Sequence, residues 1–366
     1  MAIVVSVIMY RNVFILLLTL AVSNCIKLAS SPTDLSTLLT VALGSTSSPG
    51  SFVAFSATTN LLAKSSGDGT WVSSTFTGAA RITRAAMSDS TIIGLDGSTV
   101  GTAWRSSDGG LTWASVGGMG AAVLQQVAAC GSNVLVLPLA GSSVTGYFSS
   151  NGGMSFSAVT VESAGTFTLG YATCINNVFY VSYGGSSTNV ERSTNGSTWT
   201  PASTPPATSP MIMSGSGSSI YGVASGTGTA FTRSTDGGVT FGAGESVASF
   251  QADFAGFGGA TVMNGVAYTA LWNQGPQCLF RRSNFGMSGA SSNILGCTWA
   301  TSSSQVRRMV NTAGILIAAG NLPLGGGASN GYVIYRSTNA GTTFAAETLP
   351  TVFSVTGLFG DVVVVP

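Results

Sequence analysis

Residues Arg105–Trp113 read RSSDGGLTW, and near copies of this stretch recur along the whole chain. Each copy places a serine, an aspartate or asparagine, a glycine and an aromatic residue at nearly fixed offsets. A motif that returns at regular intervals indicates a repeat architecture. The other copies are FSSNGGMSF (Phe148–Phe156), RSTNGSTW (Arg192–Trp199), TRSTDGGVTF (Thr232–Phe241), RSTNAGTTF (Arg336–Phe344), the contracted KSSGDGTW (Lys64–Trp71) and the broken RRSNFG (Arg281–Gly286).

The acidic or amide residue of each copy marks the repeat, and successive markers are 40 to 55 residues apart. Such a step has room for four short strands. Between Leu124 and Val161 the sequence shows four apolar or alternating runs separated by Gly, Asn and Ser, which is typical of strands joined by turns. The seven markers are Asp68, Asp108, Asn151, Asn195, Asp236, Asn284 and Asn339.

The composition of the motif predicts a structural turn. Glycine adopts the left-handed backbone of a tight hairpin at low cost, and Asp or Asn accepts hydrogen bonds from the turn amides. The aromatic residue that follows can bury its ring against a neighbouring sheet. The basic residue before the motif is expected to lie over that ring or to pair locally.

The motif resembles the Asp-box, or BNR repeat, found in sialidases, sortilin-type receptor domains, xyloglucan-degrading propellers and the photosystem II assembly factor of the thylakoid lumen. This resemblance implies an all-β propeller of about seven four-stranded blades around a central channel. Two more strands are predicted between Thr351 and Pro366, and they would complete the first blade and close the ring. The propeller is predicted to occupy residues 50–366.

Charge and composition exclude several classes of function. Charged residues make up 7% of the chain, the net charge is +1 and there is no histidine. A Ser-His-Asp triad, a Cys-His dyad and a histidine-ligated metal are therefore excluded. We predict no metal and no cofactor. So neutral a chain cannot present a broad phosphate-binding surface, and nucleic acid is not an expected partner.

The N-terminus predicts export. Val13–Val22 is an apolar run of ten residues behind Arg11, the length of a signal-peptide core and too short to span a bilayer. We expect a signal peptide at residues 1–23, an N-terminal segment at 24–49, and no membrane span after cleavage. An uncleaved anchor is the alternative. The expected location is secreted or on the cell surface, with a lumenal compartment as the second option.

Four cysteines remain after the leader, and an even number in an exported chain favours disulfides. Cys278 and Cys297 flank one loop and are the first choice for a pair. Cys130 and Cys174 end the first strands of adjacent predicted blades and could also meet. Buried free thiols are the alternative for all four.

Four arginines stand out because they lie outside the repeated motif: Arg81, Arg84, Arg307 and Arg308. All four are predicted on innermost strands of blades that flank the first blade. Together they suggest a patch that binds a carboxylate or sulfate. The alternative is that they face solvent in the channel or pair with Asp89, Asp96 or Asp361.

A binding role is expected rather than catalysis, with a glycan or an extracellular protein as partner. A sialidase-like exo-glycoside hydrolase would need an arginine trio, a tyrosine nucleophile with a glutamate partner and an acid/base aspartate. Tyr171 and Tyr268 are candidate inner-strand tyrosines, but no carboxylate outside the repeats matches a sialidase motif. Asp89 and Asp253 form a weak candidate pair for another glycosidase. A lumenal assembly factor is the third hypothesis. No catalytic residue is therefore assigned.

Overall fold

In the computed structural model, strands and turns are described for residues 7–10, 13–16 and much of 50–365. The described part excludes residues 121, 139, 142–143, 163–166, 186–188, 207–210, 225–229, 243–244, 247–253, 274–277, 283–290, 294–304, 313, 325–328 and 352–358. The marker Asn284, together with Asp253 and Cys297, falls outside the described residues.

The chain divides into two units, residues 1–47 and 48–366. The first unit contains a hairpin of β1 (Val7–Tyr10) and β2 (Val13–Leu16), paired antiparallel with Tyr10 opposite Val13. Among the described residues we find no helix with the length and the apolar character needed to cross a membrane. The expected signal peptide at residues 1–23 stays a prediction.

In the second unit the described strands form six four-stranded sheets and one five-stranded sheet. We number these sheets one to seven in chain order. Sheet one has the order β31 (Phe359–Val365), β3 (Ser51–Ser56), β4 (Leu61–Ser65), β5 (Trp71–Thr75). Sheet two has the order β6 (Arg84–Ser88), β7 (Thr91–Leu95), β8 (Ala103–Ser106), β9 (Ala114–Val116). Sheet three has the order β10 (Leu124–Cys130), β11 (Asn133–Pro138), β13 (Val144–Ser149), β14 (Ser157–Glu162).

The remaining sheets follow the same plan. Sheet four has the order β12 (Ala140–Gly141), β15 (Phe167–Ile175), β16 (Val178–Gly185), β17 (Asn189–Ser193), β18 (Thr200–Pro201). Sheet five has the order β19 (Met211–Ser216), β20 (Ser219–Ala224), β21 (Ala230–Ser234), β22 (Glu245–Ser246). Sheet six has the order β23 (Phe254–Met263), β24 (Val266–Asn273), β25 (Cys278–Arg282), β26 (Ser291–Asn293). Sheet seven has the order β27 (Gln305–Thr312), β28 (Ile315–Leu324), β29 (Ser329–Ser337), β30 (Ala345–Ala346).

Short turns join the antiparallel strands, and residues that tolerate left-handed backbone occupy them. Asn176 and Asn177 join β15 to β16 with φ values of 53° and 61°. Asn264 and Gly265 join β23 to β24 with φ values of 52° and 72°. Positive φ at both central residues gives a turn whose twist matches that of the flanking strands.

The hydrophobic core lies between neighbouring sheets. One cluster joins Phe55 of sheet one to Ile92 of sheet two, and another joins Leu135 of sheet three to Phe179 of sheet four. Because both faces of a sheet are covered, the second strands are buried almost throughout, as in β7. The sheets therefore stack side by side like the blades of a propeller.

The strand of each sheet that lies nearest the centre also contacts its equivalents in the adjacent sheets. These contacts run in the order β6, β10, β15, β19, β23, β27, β31, and β31 also contacts β6. The prediction of an all-β propeller is confirmed. We call these seven strands the inner strands.

Candidate functional site

A cavity of about 390 Å³ lies among the inner strands, and each of the seven contributes lining residues. We call this cavity the central channel. Contacts between the ends of neighbouring inner strands show that these strands run in the same direction. Cys130, at the end of β10, is bonded to Cys174, near the end of β15, and Asn311, near the end of β27, contacts Val262, near the end of β23.

Two arginines near the starts of their inner strands and a tyrosine line the central channel and act on one another electrostatically. Arg84 is the first residue of β6, Arg307 is the third of β27, and Tyr171 lies on β15. Arg307 is exposed to the channel, but partial desolvation there lowers its pKa, the charge of Arg84 lowers it further, and Tyr171 opposes this. Burial raises the pKa of Tyr171, whereas the charges of Arg84 and Arg307 lower it. We call Arg84, Arg307 and Tyr171 the basic cluster.

Arg308 lines the same channel but has a counter-ion. Its Nε lies 3.2 Å from Asp361 Oδ1, and the Asp361 side chain is 3% exposed against 45% for Arg308. Asp361 also accepts a hydrogen bond at Oδ2 from the Ala85 amide at 2.9 Å and one at Oδ1 from the Val362 amide at 2.8 Å. This carboxylate therefore compensates Arg308 and joins β31 to β6.

The opposite end of the central channel carries uncharged amide and hydroxyl groups. The Asn311 Nδ2 donates to Thr261 Oγ1 at 2.7 Å and to the Val262 carbonyl at 3.0 Å. Asn176, just beyond the end of β15, donates from Nδ2 to the Gly217 carbonyl at 2.5 Å. The central channel is thus polarised, with positive charge at the end where the inner strands start.

Arg81 lies apart from the other three arginines. We predicted it on an innermost strand, but β6 begins three residues later, and Arg81 is not among the residues that line the central channel. Its Nε donates to the Asp96 carbonyl at 3.0 Å, so the side chain reaches the turn after β7. The next residue, Ile82, is fully buried, and its amide donates to the Ser56 carbonyl at 3.3 Å. These contacts hold the segment in the connection between sheets one and two.

The repeat turns are closed hydrogen-bond networks. In the turn of sheet two, Asp108 Oδ1 accepts from the Leu111 and Thr112 amides at 3.0 Å each, and Thr112 Oγ1 donates to Oδ2 at 2.6 Å. Ser106 Oγ donates to Oδ1 at 2.8 Å and accepts from the Gly110 amide at 2.8 Å. Closely similar networks surround Asn151, Asn195, Asp236 and Asn339. In the contracted copy, Asp68 Oδ1 accepts from the Thr70 amide at 2.8 Å.

The basic residue of a repeat reaches the turn of the next sheet. Lys64 Nζ donates to the Asp108 carbonyl at 3.5 Å, and Arg105 Nε donates to the Gly152 carbonyl at 3.1 Å. Arg336 Nη2 donates to the Gly67 carbonyl, which links sheet seven to sheet one. We expected these side chains to act locally. Local pairing does occur, since Arg105 Nη2 donates to Thr91 Oγ1 at 3.2 Å and Arg233 Nη2 donates to Ser219 Oγ at 3.4 Å. The contacts between sheets were not expected.

The candidate catalytic carboxylates and the second candidate tyrosine lie in turns or on strands, and their described contacts are with other parts of the protein fold. Asp89 lies in the exposed turn after β6, with φ of 50°. Asp96 is buried and accepts from the Ser98 and Thr99 amides at 2.8 and 2.7 Å. The prediction that Tyr268 lies on an inner strand is wrong: it lies on β24, the second strand of its sheet, where its hydroxyl donates to the Ala340 carbonyl at 2.6 Å. Among the described residues that line the central channel, Asp361 is the one that carries a carboxylate.

Cys130 and Cys174 form a disulfide between sheets three and four, with Cα atoms 5.6 Å apart. It is the second of the two pairs that the sequence suggested. The first pair is not described, because Cys297 lies outside the described residues and only the backbone of Cys278 is described, in β25. Among the described residues, no group of three or more Cys, Asp or Glu side chains could hold a metal ion.

Sequence reasoning missed part of this site. The alternative in which an arginine pairs with Asp361 is confirmed for Arg308. Gln126, Ser214 and Asn311 were not singled out, although all three line the central channel. Their signal is positional, since each lies on the first strand of a repeat and outside the repeated motif. Tyr171 was named as an inner-strand tyrosine, and the structure places it on β15, where the charges of Arg84 and Arg307 act on it.

No family model matches the sequence, and no curated protein matches it. The fold is similar to that of YCF48 from Cyanidioschyzon merolae, with 15% identity, a TM-score of 0.52 and coverage of 71% of this chain and 85% of that chain. A protein from Lactobacillus plantarum gives 12% identity, a TM-score of 0.59 and coverage of 86% and 98%. An ancestral GH74 enzyme gives 14% identity, a TM-score of 0.50 and coverage of 85% of this chain and 49% of that one. At such identities the similarity shows a shared propeller fold.

Proposed function

We propose that this chain is an exported, seven-bladed Asp-box propeller that binds a glycan or an extracellular protein without cutting it. An anionic group of the ligand, a carboxylate or a sulfate, binds Arg84 and Arg307 in the central channel. The observation that carries this proposal is the basic cluster. Arg84 and Arg307 line the same channel and act on each other electrostatically, and the one described carboxylate of that channel already compensates Arg308.

Closure into seven blades is supported from both ends of the propeller sequence. Strand β31 pairs antiparallel with β3, with Val363 opposite Val53. The contact of Arg336 with Gly67 and the hydrogen bond from Tyr332 Oη to Ser56 Oγ at 2.7 Å join sheet seven to sheet one. The five-stranded sheet counts as one blade, because its extra strand β12 adds only Ala140–Gly141 at the edge.

Binding is favoured over hydrolysis by the surroundings of Asp361. Glycoside hydrolysis uses two carboxyl groups that flank the scissile bond, or a tyrosine nucleophile assisted by acids. Asp361 forms an ion pair with Arg308 and accepts hydrogen bonds from two backbone amides, so it does not resemble a free catalytic carboxylate. The sialidase-like alternative is kept because Tyr171 lies beside two arginines, as a tyrosine nucleophile near a substrate carboxylate would.

Export is supported by the disulfide between Cys130 and Cys174, since such bonds persist in oxidising compartments. This fits the predicted leader and a secreted or cell-surface location. A lumenal assembly role, the third hypothesis, would also fit an oxidising compartment.

The test is a binding screen with the full chain against acidic and neutral glycans that share the same backbone. We expect binding to the acidic members only, and at least a 10-fold loss of affinity in the variants Arg84→Gln and Arg307→Gln, because each removes a charge-assisted contact. Arg81→Gln is the matched control, since Arg81 is not in the central channel, and it should bind normally. Equal binding of neutral glycans, or full affinity in both variants, would refute the anion site.

A fluorogenic sialoside measured in parallel separates binding from catalysis. Turnover that is lost in Tyr171→Phe would establish the hydrolase alternative and exclude the purely binding function.

A further inference from the structure

Two glutamates and a tyrosine meet where sheet three packs against sheet four. The Tyr183 Oη lies 3.2 Å from Glu162 Oε2 and 3.3 Å from Glu191 Oε1. Glu162 ends β14 of sheet three, whereas Tyr183 and Glu191 lie on β16 and β17 of sheet four. Tyr183 is fully buried and Glu191 is 1% exposed. We call these three residues the Glu–Tyr–Glu chain.

The number of protons limits how these contacts can be made. A tyrosine hydroxyl donates one hydrogen bond, and an ionised carboxylate only accepts. If both glutamates were ionised, Tyr183 could donate fully to just one of them. A proton on Glu191 satisfies both contacts, because Glu191 then donates to Tyr183 while Tyr183 donates to Glu162.

The surroundings of Glu191 favour this protonated form. Its neighbours on the flanking strands are Val181 of β16 and Pro201 of β18, which carry no charge. Arg192, the next residue on β17, acts on Tyr180 instead. In the sequence, residues 163–166, which follow Glu162, and residues 186–188, which precede Asn189, include no ionisable side chain. Among the described residues, Asn189 Nδ2 donates to Glu191 Oε1 at 3.3 Å, and the charge that acts on Glu191 is that of Glu162.

We propose that Glu191 carries a proton in the folded protein, and that the Glu–Tyr–Glu chain is a pH-sensitive link that joins sheet three to sheet four and loosens as the pH rises. Burial, reinforced by the charge of Glu162 and partly offset by the contact with Tyr183, raises the pKa of Glu191 to about 7. Burial and the two glutamates also raise the pKa of Tyr183, so the phenol stays protonated. Loss of the Glu191 proton leaves two carboxylates facing one hydroxyl.

The sign of the effect follows from linkage between protonation and folding. The folded state holds the Glu191 proton more tightly than the unfolded chain, in which the pKa is near its ordinary value of 4.5. The folded state therefore binds more protons between these two values, and stability falls as the pH rises through that interval. The contribution is fully present below the ordinary pKa and is lost as the pH passes about 7.

The experiment is urea unfolding of the full chain at intervals from pH 5 to pH 8.5. For the wild type we expect the unfolding equilibrium constant to rise about 100-fold across this range relative to Glu191→Gln, whose neutral amide mimics the protonated acid. Asp89→Asn is the matched control. It removes a carboxylate from an exposed turn with positive φ, which asparagine also tolerates, and it should follow the wild type.

Glu162→Gln provides the second measurement. It removes the charge that acts on Glu191, so the fall in stability should remain but move to lower pH. A Glu191→Gln protein with the same pH dependence as the wild type would overturn the proposal. If that variant does not fold, a wild-type midpoint that Glu162→Gln leaves in place would overturn it equally.

Discussion

The repeat turns at the outer end of the sheets and the basic cluster in the central channel are built in opposite ways. In the turns, Asp108, Asn151 and Asp236 make nearly the same hydrogen bonds in three different sheets. In the central channel, the seven inner strands contribute different side chains, and only two of these seven strands, β6 and β27, carry arginine. Repetition therefore marks residues that stabilise every sheet, whereas the residues of the proposed ligand site each occur once.

This contrast has a physical basis. A turn that closes its own hydrogen bonds works wherever it is placed, so one sequence serves all the sheets. A ligand in a central channel contacts each inner strand from a different side, so the recognition residues differ from sheet to sheet. Lys64 and Arg105 illustrate the rule, because these charges belong to repeats and bind backbone carbonyls of the next sheet.

The disulfide is the strongest exception, since Cys130 and Cys174 occur once and yet are structural. Replacing both by serine should lower the free energy of unfolding by about 4 kcal/mol, because the bond closes a loop of 44 residues in the unfolded chain. Urea unfolding with and without a reducing agent measures this effect. The double variant should resemble the reduced wild type, and a loss below about 1 kcal/mol would show that the unfolded chain is not restrained by the bond.

The two glycines of one repeat turn separate backbone conformation from packing. Gly237 and Gly238 have φ values of 70° and 79°. A Cβ at Gly238 would lie 2.6 Å from Tyr180 Cε1, whereas a Cβ at Gly237 would meet nothing within 4 Å. The position equivalent to Gly237 in the last repeat is Ala340, which adopts φ of 53°.

We therefore expect Gly238→Ala to lower the free energy of unfolding by about 3 kcal/mol and Gly237→Ala by about 1 kcal/mol. Both values come from thermal or urea unfolding at pH 7. Equal effects would show that Tyr180 moves aside without cost, and that the repeat turns tolerate more variation than the comparison with the central channel implies.

The sequence predicted the propeller because its signal is repeated. Glycine, Asp or Asn, and an aromatic residue at fixed offsets report local turn chemistry and the burial of a ring, and both depend on neighbours in sequence. The site was harder to predict. Arg84 and Arg307 act on each other in the central channel, whereas Arg81 contacts the turn after β7. This difference depends on where β6 begins and on the packing of sheets that are distant in sequence. The partnership of Arg308 with Asp361 joins residues from two different sheets, and no local pattern indicates it.

The smallest expected effect comes from exchanging the markers themselves. Asp108→Asn should change the free energy of unfolding at pH 7 by less than about 1 kcal/mol, because the turn is exposed and charge contributes little there. Asn151 also shows that an amide fits, since its Oδ1 accepts the same turn amides and its Nδ2 donates to Ser155 Oγ at 2.9 Å.

The exchange should nevertheless alter the behaviour in acid. Hydrogen bonds from Thr112, Ser106 and Leu111 outweigh the effect of burial and lower the pKa of Asp108 to about 2. A depressed folded pKa gives stability that is present above the ordinary value and is lost as the pH falls towards 2, and asparagine has no such proton to gain. Melting curves at pH 7 and pH 3 should therefore show a smaller acid-induced shift for Asp108→Asn than for the wild type. An identical shift would mean that the charge of the marker is irrelevant and that only its hydrogen-bonding shape is required, which would make Asp and Asn fully interchangeable in the repeat.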